Sequence, residues 1–417
     1  MLNSELFDWV NKQKIINKLK IKKKDKDKLH KWHFNDNLIY HTNKNFFKIK
    51  PYVFEQFKKK WYQPLILQKE EGVLGIIKKT KSNIDYYLLQ AKAEPGNINS
   101  VQISPTVQAT KSNYLRKHGG KKTSFLNFFL KKNKNIKVLS SLKLSEQGTR
   151  FLQKKNRNIL IEIKNINLPK KSNFRWLTKA NIRYLIKRNN VLNMDTISIF
   201  SSVIKKDQAD QPINSFSELL STLNKLKRYL SLKKMTTKFS NLKGWKINKF
   251  KIYDLKKIFF SIFFIEVKAN EREVKNWNQP IISDHFSSLN GFIISKYNDI
   301  THYLLKVTHE PGFIAPKFTS TISEKNLLPK NMSKIKFSNL FKKKYYLLNI
   351  VNSDEGGRFL KNQSRNIVCQ IGDYKKVKLP KNYTWVSHNQ IIELINKNLV
   401  TIEARNLFAC FNIEKIK

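Results

Sequence analysis

The chain has little of what cross-links a protein or ligates a metal. Its 417 residues include only two cysteines, Cys369 and Cys410, too few for a disulfide framework or a cysteine-built zinc cluster. Long hydrophobic runs are missing as well. The most apolar stretch, Ile258 to Ile265, is far short of the roughly 20 residues that span a bilayer. The N-terminus, Met1 to Asp8, carries early acids and lacks the apolar core of a signal peptide. Acidic residues are few, with 30 Asp+Glu against 81 Lys+Arg and a formal net charge of +51. Arginine is scarce too: 11 residues, beside 70 lysines. These absences predict a soluble protein of a reducing compartment, the cytoplasm, with no membrane segment and no metal cluster.

A composition of 40% hydrophobic and 12% aromatic residues excludes wholesale disorder, and 417 residues predict two or three domains. A basic surface is the footprint of phosphate-backbone binding. Here, however, the lysines lie everywhere, as in Lys20 to Lys28 and Lys131 to Lys137, while the motif segments are neutral. The charge therefore reads as general composition, and no nucleic-acid partner is expected.

Self-comparison shows a tandem repeat. Trp61-Tyr-Gln-Pro-Leu-Ile66 returns as Trp277-Asn-Gln-Pro-Ile-Ile282, and Glu94-Pro-Gly96 as Glu310-Pro-Gly312, both at an offset of 216. Ser145-Glu-Gln-Gly-Thr-Arg-Phe-Leu152 returns as Ser353-Asp-Glu-Gly-Gly-Arg-Phe-Leu360 at 208, followed by Arg157-Asn-Ile159 as Arg365-Asn-Ile367. Trp32 pairs with Trp245 and Trp176 with Trp385, so six of the seven tryptophans fall into three pairs. The expected organisation is a basic helical segment over 1–28, a first module over 29–204, a helical linker over 205–241 and a second module over 242–417. Helical spacing is expected from Leu6 to Ile21 and from Phe216 to Leu232. Thr178 and Ser387 open further helices as N-caps. Short alternating runs such as Tyr86 to Lys92 and His302 to Thr308 read as strands, making an α+β fold with antiparallel sheet.

The stretch Val101 to Thr110 alternates strictly, so Gln102, Ser104, Thr106 and Gln108 share one face of a strand. An uncharged hydrogen-bonding face suits a polyhydroxylated ligand; an ordinary half-exposed strand is the alternative. Glu94 leaves the preceding strand at a sharp turn, where Pro95 fixes φ and Gly96 permits positive φ. Downstream lie Ser112, Asn113, Tyr114 and His118, the histidine titrating near neutral pH. Arg150, Arg157, Arg358, Arg365 and Arg405 fall in repeat motifs. Each offers a bidentate fork to phosphate, or else a buried pair with Glu146 or Glu355. Trp61 and Trp277 are core residues or stacking platforms for a base. At a fixed offset of 216, Gln102, Thr106 and Gln108 align with Phe318, Ile322 and Glu324. The polar face is then largely lost in the second copy, and the chemistry is expected in the first.

The string Gln90-Ala-Lys-Ala-Glu-Pro-Gly-Asn97 followed by Gln102-Ile-Ser-Pro-Thr-Val-Gln-Ala-Thr-Lys-Ser-Asn-Tyr114 resembles the NDP-hexose 2,3-dehydratases. So do Trp61-Tyr-Gln-Pro64, Ser145-Glu-Gln-Gly148, Asn193-Met-Asp-Thr196, Asn270-Glu-Arg-Glu273 and Ala404-Arg-Asn406. The second copy departs at Glu310-Pro-Gly-Phe313 and Thr319-Ser-Thr-Ile322. The resemblance implies two Nudix-like modules per chain, homodimers, and dTDP-4-keto-6-deoxyglucose as substrate, with a downstream 3-ketoreductase as partner. No metal-binding Nudix signature is present, so the fold would serve other chemistry. By resemblance, Trp61, Ser112, Asn113, Tyr114, Trp277, Arg358, Arg365, Arg405 and Asn406 contact the nucleotide and diphosphate. Asn97, Gln102, Ser104, Thr106, Gln108, Arg150 and Arg157 complete the expected binding set. The implied reaction removes the C3 proton, acidified by the C4 ketone, and expels the C2 hydroxyl without a cofactor. Glu94 or His118 is the expected base and Tyr114 the expected proton donor. A non-catalytic sugar-nucleotide sensor is the rival reading.

Overall fold

The computed structural model describes residues 2–43, 46–111, 122–131, 133–270, 274–325, 327 and 335–416. Each module carries one long mixed sheet. In the first, the strands run in the order Ile136–Ser145, Lys155–Ile163, Gly72–Lys81, Ile84–Ala93 and Phe174–Thr178. The second repeats it with Tyr346–Ser353, Gln363–Gln370, Ser288–Tyr297, Ile300–Thr308 and Tyr383–Ser387. One parallel pair sits at each centre, Lys155–Ile163 on Gly72–Lys81 and Gln363–Gln370 on Ser288–Tyr297. These central strands are near-continuous apolar runs because both faces are covered. Two-residue turns close the matching hairpins, with Ser82 and Asn83, then Asn298 and Asp299, all at positive φ as such turns require.

The helices start where cap residues predict. Thr178 caps Lys179–Ile186, Ser387 caps His388–Asn396, and Ser215 caps Phe216–Tyr229, each through a capping box. The N-terminal helix, Leu2–Ile16, is shorter than its periodicity suggests. The chain turns instead into the strand Leu19–Lys23, which pairs with Phe260–Ala269 of the second module. The linker does the converse: Lys233–Thr236 pairs with Lys48–Gln56 of the first. Each module thus completes its small five-stranded sheet with a strand that precedes the other module in the chain. One apolar core runs through both, from Leu74 and Phe200 to Phe292 and Phe408.

The exchange extends to the turns. Glu94-Pro-Gly-Asn97 closes with Asn97 N–H donating to the Glu94 carbonyl at 3.1 Å. Gly96, however, does not take a positive φ. Glycine is needed there for close approach. Gly96 N–H donates to the Gly356 carbonyl at 2.7 Å and the Gly96 carbonyl accepts from Lys361 N–H at 2.8 Å. A Cβ on Gly96 would lie 1.6 Å from the Phe359 carbonyl oxygen. Gly312 docks identically on Gly148, where a Cβ would lie 1.7 Å from the Phe151 oxygen. Gly96→Ala should therefore cost at least about 3 kcal/mol, because backbone cannot give way like a flexible side chain. Urea unfolding checks this. Gly372→Ala, with open space around it, should change stability by less than about 1 kcal/mol.

The stretch from Val101 to Thr110 is two short strands. Val101–Ser104 pairs with Ile84–Ala93, and Val107–Ala109 crosses to Gly72–Lys81, with the break at Pro105. Thr106 braces the gap, accepting from Ile77 N–H at 3.0 Å and donating to the Leu88 carbonyl. Thr321 does the same between Ile293 and Leu304. Thr106 and Thr321 differ by 215, not 216, so a one-residue deletion lies between the turn and the strand. The counterparts of Gln102, Thr106 and Gln108 are Lys317, Thr321 and Ser323, and the second copy keeps its polar face.

Gln102 and Lys317 hold the modules together at equivalent places. Gln102 donates to Ser353 Oγ and the Asn190 carbonyl; Lys317 donates to Ser145 Oγ at 2.9 Å and to the Asn398 carbonyl. Burial pulls the Lys317 ammonium down to about 7 from 10.5. Between those values the unfolded chain holds a proton that the native state has shed, so stability rises with pH. Below about 7 both states are protonated and the cost of the buried charge is complete. Lys317→Gln should accordingly stabilise the protein by about 1–3 kcal/mol near pH 6 and flatten the rise above pH 7. Unfolding midpoints at the two pH values decide it.

Candidate active site at the module junction

Where the first module's turn meets the second module's motif, the fold leaves a cavity of about 610 Å³. That lies within the usual range for small-molecule sites. Its aromatic part joins Trp32, Phe46, Phe47 and His41 to Trp277 from the second module. Trp32 packs on Phe47 at 4.9 Å between ring centres, and His41 on Phe46 at 4.5 Å. Trp277 is oriented by Nε1 donating to Gln279 Oε1 at 2.8 Å, and Gln279 in turn donates to the Gly357 carbonyl at 2.8 Å.

Among the described residues, the polar part contains four carboxyl groups: Glu94, Glu146 and Asp195 from the first module and Glu355 from the second. Glu94 is 4% exposed. Its Oε1 pairs with Lys92 Nζ at 2.9 Å, and Oε2 has no hydrogen-bond partner among the described residues. Lys92 Nζ also donates to Gln108 Oε1 at 2.7 Å, and Gln108 Nε2 donates to Asp195 Oδ2 at 2.8 Å. Glu94, Lys92, Gln108 and Asp195 therefore form one hydrogen-bonded row along the wall. Glu146 accepts from Asn156 Nδ2 at 2.7 Å, and Lys154 donates to the Glu70 carbonyl.

Crowding acids in a buried site makes them hard to ionise. Burial, then the charges of Glu146, Glu355 and Glu94, hold Asp195 well above the usual carboxylate range. Burial, then Glu94, pushes Glu355 up to about 7. Burial also raises Glu146, against the pull of Arg405 and Lys154, and brings Lys154 down to about 8. The cavity can thus present protonated acids at neutral pH.

Arg358 reaches the same cavity. Its guanidinium lies 4.2 Å over the Phe47 ring, NH1 donates to the Gly357 carbonyl at 3.0 Å, and Nε has no partner among the described residues. The internal symmetry explains this freedom. Arg150, its counterpart, is buried in an ion pair with Asp284 at 2.8 Å. In the first site the position of Asp284 is Gln68, which carries no charge. The second site is occupied by its own side chains: Lys325 pairs with Glu403 at 3.1 Å, beside a void of about 30 Å³, room for a water.

A family described as NDP-hexose 2,3-dehydratase matches residues 3–203 and 216–411, nearly the whole chain in two segments. The chain belongs to the NDP-hexose 2,3-dehydratase family. Three relatives carry the name dTDP-4-dehydro-6-deoxy-alpha-D-glucopyranose 2,3-dehydratase. The one from Streptomyces violaceoruber is 31% identical over 366 residues, 84% of this chain and 82% of the relative. That from Saccharopolyspora spinosa is 28% identical over 422 residues, covering 92% and 86%. That from Amycolatopsis orientalis is 30% identical over 363 residues, covering 85% and 76%.

Of the residues expected at the site of this dehydratase-family chain, Glu94, Gln108, Trp277 and Arg358 meet at the cavity. Others lie elsewhere, for reasons the packing makes plain. Gln102 and Thr106 are committed to the braces described above, and buried Ser104 lies off the cavity wall. Asn97 Nδ2 donates to the Lys92 and Ser100 carbonyls inside its own turn. Trp61 stacks on Phe54 at 5.5 Å, away from the cavity. Arg157 and Arg365 lie on the sheets, bonded to Ser141 and Asn349. Arg405 is fully buried between the modules, and Asn406 donates to the Met194 carbonyl. Ser112, Asn113, Tyr114 and His118 lie outside the described residues.

Sequence reasoning missed Lys92, Glu146, Lys154, Asp195 and Glu355 as cavity residues. Two of them carried a signal. Lys92 shares a strand face with Glu94 two residues on, and Asp195 is the lone charge in the apolar helix Met194–Ser201.

Proposed function

We propose that this chain eliminates water across C2–C3 of dTDP-4-keto-6-deoxyglucose in deoxysugar biosynthesis. The observation that carries the reading is Glu94, buried at the cavity wall and paired with Lys92, with Oε2 unpartnered among the described residues. A carboxylate so placed can take the C3 proton, whose acidity comes from the adjacent C4 ketone. Lys92, at 2.9 Å from Glu94, supplies positive charge for the enolate oxygen that develops. The electrons then return, C2–C3 becomes a double bond and the C2 hydroxyl leaves with a proton.

Trp277 offers a face for the thymine, and Arg358 a guanidinium at the cavity wall for the diphosphate. Because the Lys325–Glu403 pair occupies the corresponding place in the second module, one sugar nucleotide is expected per chain. Calorimetric titration with dTDP should give a stoichiometry near one; a value near two removes this part. Nudix-like modules, a homodimer, a cytoplasmic location and a downstream 3-ketoreductase belong to the same reading. Incubation with dTDP-4-keto-6-deoxyglucose tests the whole. Mass spectrometry should find loss of one water, or free dTDP from the labile product. Intact substrate after long incubation leaves the sensor reading instead.

A further inference from the structure

Expelling the C2 hydroxyl poses a second problem that Glu94 does not solve. Hydroxide is a poor leaving group, so the C2 oxygen needs a proton as its bond to carbon breaks. Resting on the dehydratase reading, we infer that Asp195 is the catalytic residue that gives this proton.

Geometry carries the assignment. Asp195 sits in the first turn of the helix Met194–Ser201, which Asn193 caps through its side chain and the Asp195 N–H. The side chain is 4% exposed and lines the cavity. Its Oδ2 accepts from Gln108 Nε2 at 2.8 Å. Gln108 and Lys92 fill the interval between Asp195 and Glu94, so the two carboxyl groups are ends of one ordered row. A base and an acid separated by two fixed polar groups can address adjacent sugar carbons. Burial, then neighbouring Glu146, Glu355 and Glu94, keeps Asp195 protonated, the state a donor needs before the bond breaks.

The step balances. Glu94 takes the C3 proton and the C3–H electrons form the enolate. As the C4 carbonyl re-forms, C2–C3 becomes double, C2–O breaks and the oxygen takes the Asp195 proton to leave as water. Asp195 ends as a carboxylate and Glu94 as an acid. Solvent restores both once product departs. Gln108 has its own part: its amide fixes Oδ2.

The role predicts a separation that a structural role does not. In D₂O, Asp195→Asn should lose water elimination by about 10²–10⁴-fold while still exchanging the C3 hydrogen of recovered substrate for deuterium. Glu94→Gln should lose exchange and elimination together. A substrate carrying fluorine at C2, whose departure needs less acid help, should restore much of the Asp195→Asn rate. Asp195→Glu, which keeps an acid, should retain more elimination than Asp195→Asn and serves if the latter does not fold. Asp195→Asn at near wild-type rate, or losing exchange along with elimination while still binding dTDP, overturns the assignment. So does Asp195→Glu eliminating no better than Asp195→Asn, or, where only it folds, losing exchange together with elimination. Wild-type protein that leaves the sugar intact overturns the dehydratase reading, and this assignment with it.

Discussion

Glu94→Gln should lower kcat by about 10²–10⁴-fold, the usual worth of a positioned general base, with dTDP affinity little changed. Glutamine preserves the volume of the side chain, and its amide oxygen can still accept from Lys92 Nζ, now 2.9 Å from Glu94 Oε1. What disappears is the basicity of the carboxylate, whose buried Oε2 has no hydrogen-bond partner among the described residues. The internal repeat provides the control. Glu310 occupies the same place in the second module, where burial and the charge of Glu403 push it up to about 8. It is therefore mostly protonated at neutral pH, and Glu310→Gln exchanges one neutral group for another of the same shape. Turnover should stay within about threefold, since no barrier-lowering contact is removed. Steady-state rates with dTDP-4-keto-6-deoxyglucose compare the two. Equal rates for both variants would exclude Glu94 from proton transfer.

That two equivalent glutamates should behave so differently marks where sequence reasoning reaches its limit. The repeat itself is legible, because duplication leaves motifs at nearly constant offsets and each module closes the same hydrogen bonds. Helix starts are legible because cap residues act locally, as Thr178 and Ser387 do. The site is less so. Gln102 and Gln108 stand on one face of an alternating segment, yet one is a brace between modules and the other lines the cavity. The difference comes from the break at Pro105, which sends the chain from one neighbouring strand to another. A single deletion then shifts the second copy by one residue, which flips an alternating pattern onto the wrong face. Arg358 and Arg150 likewise share a motif but not a fate. What frees the first and confines the second is residue 68 or 284, which lie 290 and 134 positions away respectively.

Arg405→Leu should destabilise the fold by about 3–5 kcal/mol, the usual consequence of breaking a buried charge network from one side. The guanidinium is 0% exposed. NH1 donates to the Ser145 carbonyl at 2.8 Å, while Nε and NH2 reach Ser198 Oγ at 3.2 and 3.1 Å. Its charge is opposed first by Glu146 and then by Glu403, one from each module. Leucine fills part of the space but leaves those acids without their shared cation and the Ser145 carbonyl without its donor. Arg405→Lys should fall between, because a single ammonium cannot reproduce the planar fork that reaches the Ser145 carbonyl and Ser198 Oγ together. Arg365 lies out on the sheet with one side-chain bond, to Asn349 at 3.0 Å. Arg365→Leu should change stability by less than about 0.5 kcal/mol. Urea unfolding measures the contrast, and dTDP binding by the folded variants gives it a second axis. An Arg405→Leu protein with wild-type stability and lost dTDP affinity would return this residue to the diphosphate. The packing argues the other way: Arg405 holds the two modules in the register that lets Arg358 and Glu94 face one cavity.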